Sequence, residues 1–200
     1  MRILDYIKQE KIYGIIREDN AEKAYEAARA YLEGGIKFIE LNCPIEVTQK
    51  VSKLKDAVVI QGGIITTQQA HEALENGADI ISSPIFQTNL VRFSTCYKVF
   101  LIPSVTTPNE AYNAWRARMP LIKIYPVAEM GGIEYIRDLM KPMPFLNLLP
   151  CGFVKLDEVQ GYLKAGASAV GIGRELKSKK NYTEIVKTVR ETVEMVRNIN

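Results

Sequence analysis

The chain is poor in the residues that build disulfide frameworks, metal centres and membrane spans. Its three cysteines, Cys43, Cys96 and Cys151, are odd in number, far apart and form no C-x-x-C pair. Neither a disulfide framework nor a structural zinc site fits, so a reducing cytoplasm is the expected compartment. The single histidine, His71, sits with Gln68 and Glu72 on a polar helix face. It cannot build a histidine-based zinc site, and a surface role is expected of it. No apolar run is long enough to span a bilayer, and Met1-Arg2-Ile3-Leu4-Asp5 lacks the apolar core of a signal peptide. Charge of one sign is also scarce: 26 Lys+Arg against 23 Asp+Glu leaves +3, short of the basic bias of a general nucleic-acid binder. Basic residues gather between Arg174 and Arg190, but Ser178-Lys179-Lys180-Asn181 reads first as a solvated loop, with nucleic-acid binding the minor alternative. Glycine and proline total 22 of 200 residues, below any low-complexity level. What remains is a soluble intracellular globular protein. Its 47% hydrophobic content suffices for one core, so a single domain over residues 1–200 is expected.

What is present is a rhythm: a short apolar run, a turn, an amphipathic helix, and again. Eight runs, at 12–17, 37–41, 58–61, 79–82, 97–102, 121–125, 145–149 and 167–171, are apolar at most positions. Strands buried on both faces of a parallel sheet read this way. Asp19, with Glu22 three residues on, predicts the cap of a helix striped by Ala24, Ala27, Ala28, Tyr31 and Leu32 and stopped at Gly34. Thr107-Pro108-Asn109-Glu110 joins a capping residue, proline at the first helical position and an acid at the third. Thr66-Thr67-Gln68-Gln69 opens a helix ending near Asn76-Gly77, and another is expected over 86–94. Leu156, Val159 and Leu163 stripe a later helix, and Ile185, Val186, Val189, Val193 and Val196 the last. Trp115, four residues after Ala111, is placed at a core or helix-packing position.

Eight βα units in 200 residues is about 25 residues per unit, compact for a closed α/β barrel, the (β/α)8 or TIM fold. A doubly wound open sheet shares the alternation, but it more naturally has five or six strands. No run here is followed by G-x-G-x-x-G or a Walker loop. The barrel is the expected fold.

A parallel barrel carries its chemistry at the carboxyl ends of its strands. Charges within or ending apolar runs are therefore the candidates: Arg17 in the first, Glu40 in the second and Lys123 in the sixth. A lysine among Leu121, Ile122, Ile124 and Tyr125 is poorly solvated, which disfavours its ammonium form and favours a nucleophilic amine. Glu40 in the same dry site could move protons, and Arg17 could grip a carboxylate. The plain alternative is a buried Lys–Glu pair that fixes register and does no chemistry. Cys151-Gly152 and Gly171-Ile172-Gly173-Arg174 end the last two runs where barrels often hold a phosphate, with tight turns as the simpler account of the glycines. Cys43, close to Glu40, is read as a buried inert thiol.

These residues carry a resemblance to a family. The chain resembles the class I aldolases that cleave 2-keto-3-deoxy-6-phosphogluconate, 2-keto-3-deoxy-6-phosphogalactonate or 4-hydroxy-2-oxoglutarate. Tyr13-Gly14-Ile15-Ile16-Arg17 resembles the family's first strand, and Glu33-Gly34-Gly35-Ile36-Lys37-Phe38-Ile39-Glu40 the segment ending in its proton-shuttling glutamate. Residues 102–110, running from Ile102 to Glu110, are similar to the P-G-V-x-T-P-x-E stretch. Lys123-Ile124-Tyr125-Pro126 resembles the K-x-F-P segment bearing the Schiff-base lysine, and residues 165–173 match the end of the barrel. The resemblance implies Lys123 and Glu40 as catalytic residues, with Arg17, Gly62, Gly63, Pro84, Gly152, Gly173 and Arg174 binding substrate. It implies a 2-oxo acid substrate giving pyruvate, no metal or organic cofactor, and a homotrimer. Several positions depart from the family pattern. Pro44 replaces a carboxylate-binding arginine, Gly63 a threonine, Phe153 a glycine and Arg174 a serine, while Glu129 is displaced by one. Phe153 would obstruct a phosphate's approach to backbone, whereas Arg174 would attract an anion. The expectation is Schiff-base chemistry with an altered distal pocket, taking a shorter or differently charged keto acid. The alternatives are a barrel that binds a small anion without catalysis and a phosphosugar isomerase.

Overall fold

A computed structural model describes residues 3–179 and 181–198. Its strands are β1 (Ile12–Arg17), β2 (Phe38–Asn42), β3 (Val58–Gln61), β4 (Ile80–Ser83), β5 (Phe100–Val105), β6 (Ile122–Ile124), β7 (Leu148–Pro150) and β8 (Val170–Ile172). Every ladder is parallel, in the order β7-β6-β5-β4-β3-β2-β1-β8. From β1 to β7 each strand pairs with the next in sequence, and β8 pairs with β1, without the reversal of order that marks a doubly wound sheet. β7 and β8 form no ladder, but the Ser168 N–H donates to the Leu148 carbonyl at 2.8 Å across that seam. The sheet is a nearly closed (β/α)8 barrel.

The helices are α1 (Ile3–Glu10), α2 (Ala21–Gly34), α3 (Ile45–Val51), α4 (Thr67–Glu75), α5 (Thr88–Tyr97), α6 (Pro108–Arg116), α7 (Gly132–Met140), α8 (Val159–Lys164), α9 (Arg174–Lys177) and α10 (Tyr182–Arg197). Among the described residues no helix is long and apolar enough to cross a membrane. The capping signals at Thr66 and Thr107 form full capping boxes with Gln69 and Glu110. α2 is capped by Asn20 rather than Asp19: the Asn20 side chain accepts the Lys23 N–H at 3.0 Å. The apolar run at 97–102 mixes two elements, because α5 ends at Tyr97 and Lys98 turns left-handed at φ 55° before β5 starts. Phe145 to Asn147 and Ala167 to Ala169 likewise precede their strands. Leu156 lies in a 3₁₀ turn ahead of α8. Trp115 is not in the core; it is 42% exposed and packs on the Phe145 ring at 4.5 Å. Lys180, part of the basic cluster, lies outside the described residues, as do Met1 and Arg2.

Strand alternation sorts the side chains into two sets. Ile39, Leu41, Val59, Ile81, Leu101, Ile122 and Ile124 point outward against the helices and fill the larger core. Phe38, Ile60, Ile80, Ile102, Leu121, Leu149 and Ala169 point into the barrel. Helix α1, which the strand rhythm did not announce, closes the amino-terminal end of the barrel, its Ile7 fully buried among that inner set. Barrel interiors stack in layers drawn from alternate strands. Phe38, Ile80, Leu121 and Ala169 of β2, β4, β6 and the approach to β8 make one apolar layer. The next inward positions, two residues further on, are Glu40, Ser82, Lys123 and Gly171. The polar layer begins there.

Candidate active site

Lys123 and Glu40 meet inside the barrel, nearly sealed from solvent. The Lys123 ammonium donates to Glu40 Oε2 at 2.5 Å, with the two side chains 5% and 7% exposed. It also donates to Ser82 Oγ at 2.7 Å. The other carboxylate oxygen, Oε1, accepts from Asn42 Nδ2 at 3.2 Å. The Tyr13 ring lies beneath, 5.9 Å from the lysine nitrogen, its hydroxyl pushed well above the usual tyrosine range by burial. Cys151, also on this floor, is buried, and its thiol is pushed up to about 11, mainly by loss of solvent.

An ion pair with nothing above it would be structural alone. Here a cavity of about 1070 Å³ opens over the layer, with Lys123, Glu40 and Ser82 in its wall. Of the nine candidates read from sequence, eight line this cavity: Arg17, Glu40, Gly63, Pro84, Lys123, Gly152, Gly173 and Arg174. Gly62 does not. A Cβ there would fall 2.5 Å from Asn42 Oδ1, so this glycine makes room for the amide that bonds Glu40 rather than touching the cavity. Cys43 is also off the cavity, its Sγ 3.5 Å from the Ile16 carbonyl and its thiol pushed to about 11 by burial.

Apart from the Lys123–Glu40 pair, the cavity wall carries more cations than acids: Arg17, Lys23, Arg174, Lys177 and Lys179 against Glu18, Asp19 and Glu26. Among the described residues no carboxylate pairs with Arg17 or Arg174. Lys177 is engaged, 3.3 Å from Glu18 and donating to the Arg17 carbonyl at 2.8 Å. The Arg174 guanidinium lies 3.8 Å above the centroid of the Phe153 ring, a cation–π stack. Phe153 follows Gly152 in the left-handed region, at φ 59° after φ 94°, and the residue is 40% exposed. The bulky residue therefore does not fill the cavity floor; it stands at the rim as a platform for Arg174.

Sequence reasoning missed Asn42, Ser82 and Ser104, all cavity-lining. A signal existed for the two serines. Each stands two residues beyond an inward apolar residue, Ile80 or Ile102, at the level of Glu40 and Lys123, and Ser104 pairs in register with Lys123. No three His, Cys, Asp or Glu side chains among the described residues cluster closely enough to hold a metal ion.

The sequence model of the KDPG and KHG aldolases matches residues 3–189. The chain belongs to this family. A 2-dehydro-3-deoxy-phosphogluconate aldolase of Haemophilus influenzae is 23% identical, over 98% of this chain and 97% of that protein. The 2-keto-3-deoxy-6-phosphogluconate aldolase of Zymomonas mobilis ATCC 29191 superposes with a TM-score of 0.90, at 19% identity and full coverage of both chains. A KDPG aldolase of Legionella pneumophila, solved with pyruvate captured as a covalent carbinolamine, gives 0.82 at 21% identity, covering 100% of this chain and 98% of that one. As a KDPG/KHG-family aldolase the protein is a carbon–carbon lyase, cleaving a 2-oxo acid to pyruvate and an aldehyde.

Proposed function

We propose that Lys123 is the Schiff-base nucleophile of this aldolase and Glu40 its proton carrier. The observation that carries this reading is a buried amine, hydrogen-bonded to a carboxylate, at the floor of an open cavity. Passing the shared proton to Glu40 leaves a neutral amine beside a neutral acid. The amine attacks C2 of the 2-oxo acid, and Glu40 returns the proton to the former carbonyl oxygen to give a carbinolamine. Glu40 takes the extra proton from the nitrogen and hands it to the new hydroxyl, and loss of water leaves an iminium ion beside the Glu40 carboxylate. Glu40, directly or through water, removes the C4 hydroxyl proton. The C3–C4 bond breaks, the aldehyde departs, and the iminium takes up the electron pair as an enamine. Protonation at C3 and hydrolysis then release pyruvate and restore the amine. The imine is the electron sink, so the scheme calls for no metal or organic cofactor.

Arg17 serves the C1 carboxylate, the work left open by Pro44. Gly63, Pro84, Gly152 and Gly173 shape the walls, and Arg174 on its Phe153 platform receives the far anion. The substrate is a 2-keto-3-deoxy-6-phospho sugar acid or 4-hydroxy-2-oxoglutarate. Family resemblance supports a homotrimer in the cytoplasm, without nucleic-acid or membrane partners.

Pyruvate release from the phosphorylated acids and from 4-hydroxy-2-oxoglutarate tests the reading. At least one should be cleaved, Lys123→Ala should be inactive, and Glu40→Gln should lose about a hundredfold or more in kcat. Arg174→Ser should raise KM with kcat little changed, the pattern of lost uniform binding. No pyruvate from any of these acids would contradict the assignment.

A further inference from the structure

We propose that Ser82 is a third catalytic residue, whose hydroxyl holds the Lys123 nitrogen so that it can give its proton to Glu40 and then turn toward the substrate. The inference rests on the reading of Lys123 as nucleophile.

Three observations converge on Ser82. It is 1% exposed, on an inward position of β4 at the level of Glu40 and Lys123. Its Oγ lies 2.7 Å from the Lys123 nitrogen, the atom that forms the new bond. Among the described residues that nitrogen is the hydrogen-bond partner of its side chain, so the hydroxyl has no competing backbone duty.

The chemistry supplies the reason. An ammonium has three donors and no lone pair; the amine that attacks has two donors and one lone pair. Once Glu40 takes the proton, its new O–H faces that lone pair, which is useless to a ketone in the cavity. The nitrogen must rotate about its carbon bond to redirect the lone pair. A hydroxyl suits this movement because it both accepts and donates. Ser82 accepts an N–H before and after rotation, holding the nitrogen at the cavity floor while Glu40 changes from acceptor to donor. The hydroxyl itself begins and ends the cycle neutral, and no transferred proton passes through it.

Single-turnover trapping of pyruvate by borohydride, followed by mass, reads imine formation directly. Steady-state retro-aldol cleavage supplies kcat and KM. Ser82→Ala and Ser82→Cys, the latter with only a weak hydrogen-bonding thiol, should slow trapping and kcat together by about tenfold to a hundredfold, the worth of a lost hydrogen bond to a charged group. KM should stay within about twofold, because the hydroxyl acts on the nitrogen and not on the bound acid. Ser82→Thr, which keeps the hydroxyl, should recover most of the rate. Thermal melts confirm that the compared proteins are folded, and the alanine and cysteine variants serve as replicates of one loss. If the parent is labelled at Lys123 and the folded Ala or Cys variant is labelled equally fast, Ser82 only fills space and the proposal falls alone. Equal loss in Ala, Cys and Thr overturns it too, pointing to packing. A parent that is never labelled overturns the nucleophile reading and this proposal with it.

Discussion

Phe153 holds a backbone conformation that L residues avoid, φ 59°, at the rim of the cavity and under a guanidinium. A side chain in the left-handed region costs about 1 kcal/mol through its Cβ. Phe153→Gly removes both Cβ and ring, while Phe153→Ala removes the ring and keeps the strain. Chemical denaturation should therefore find the glycine variant more stable than the alanine variant by about 1 kcal/mol. Alanine equal to or above glycine would show that the backbone is not strained there. At this scale the sequence was legible where a residue was out of place. Lys123, Glu40 and Arg17 stood out because charges interrupt apolar runs. Ser82 and Asn42 did not, since a hydroxyl or amide in a strand is unremarkable until the layer it shares is known. Gly62 was expected to bind substrate through the family resemblance, but what lies over it is the Asn42 amide.

Helix starts were more legible than strand ends. In α6 the Thr107 hydroxyl accepts the Glu110 N–H at 3.3 Å, and the Glu110 carboxylate accepts the N–H groups of Thr106 and Thr107 at 2.9 and 2.8 Å. Thr107→Ala should cost about 1 kcal/mol of stability, measured by denaturant midpoint. Those N–H bonds hold the Glu110 carboxyl below its ordinary 4.5. A carboxyl lowered in the folded state stabilises that state above its unfolded value, and the contribution fades as pH falls through the lowered folded value. Glu110→Gln should thus be less stable than the parent at pH 7, with the gap narrowing below pH 4.5. A gap independent of pH would assign the effect to something other than the charge. These caps were readable because their chemistry is local, a threonine and an acid or amide three residues apart. The 97–102 run was misread because apolar residues continue from α5 into β5 with no glycine or proline between, only Lys98 in a left-handed turn.

Across the whole molecule, stability and chemistry occupy opposite ends of the barrel. Eight short buried runs announced the parallel barrel because strands covered on both faces need apolar residues on both. The amino-terminal plug was not announced, since a short amphipathic segment before the first strand has no partner in sequence. Ile7→Ala in α1 leaves a void in the inner core and should cost about 2–5 kcal/mol, seen as a lowered thermal midpoint. Turnover well below that midpoint should persist, because the plug lies across the apolar layers from Lys123. A variant that melts like the parent would show that α1 is not part of the cooperative core. The account as a whole stands on one covalent event at one nitrogen. Incubating the protein with pyruvate and borohydride, then mapping the added mass by peptide, tests it most directly. The predicted result is a single reduced pyruvate on Lys123, absent from Lys123→Ala; an unmodified protein beside a labelled control aldolase, or an adduct on another lysine, would contradict it.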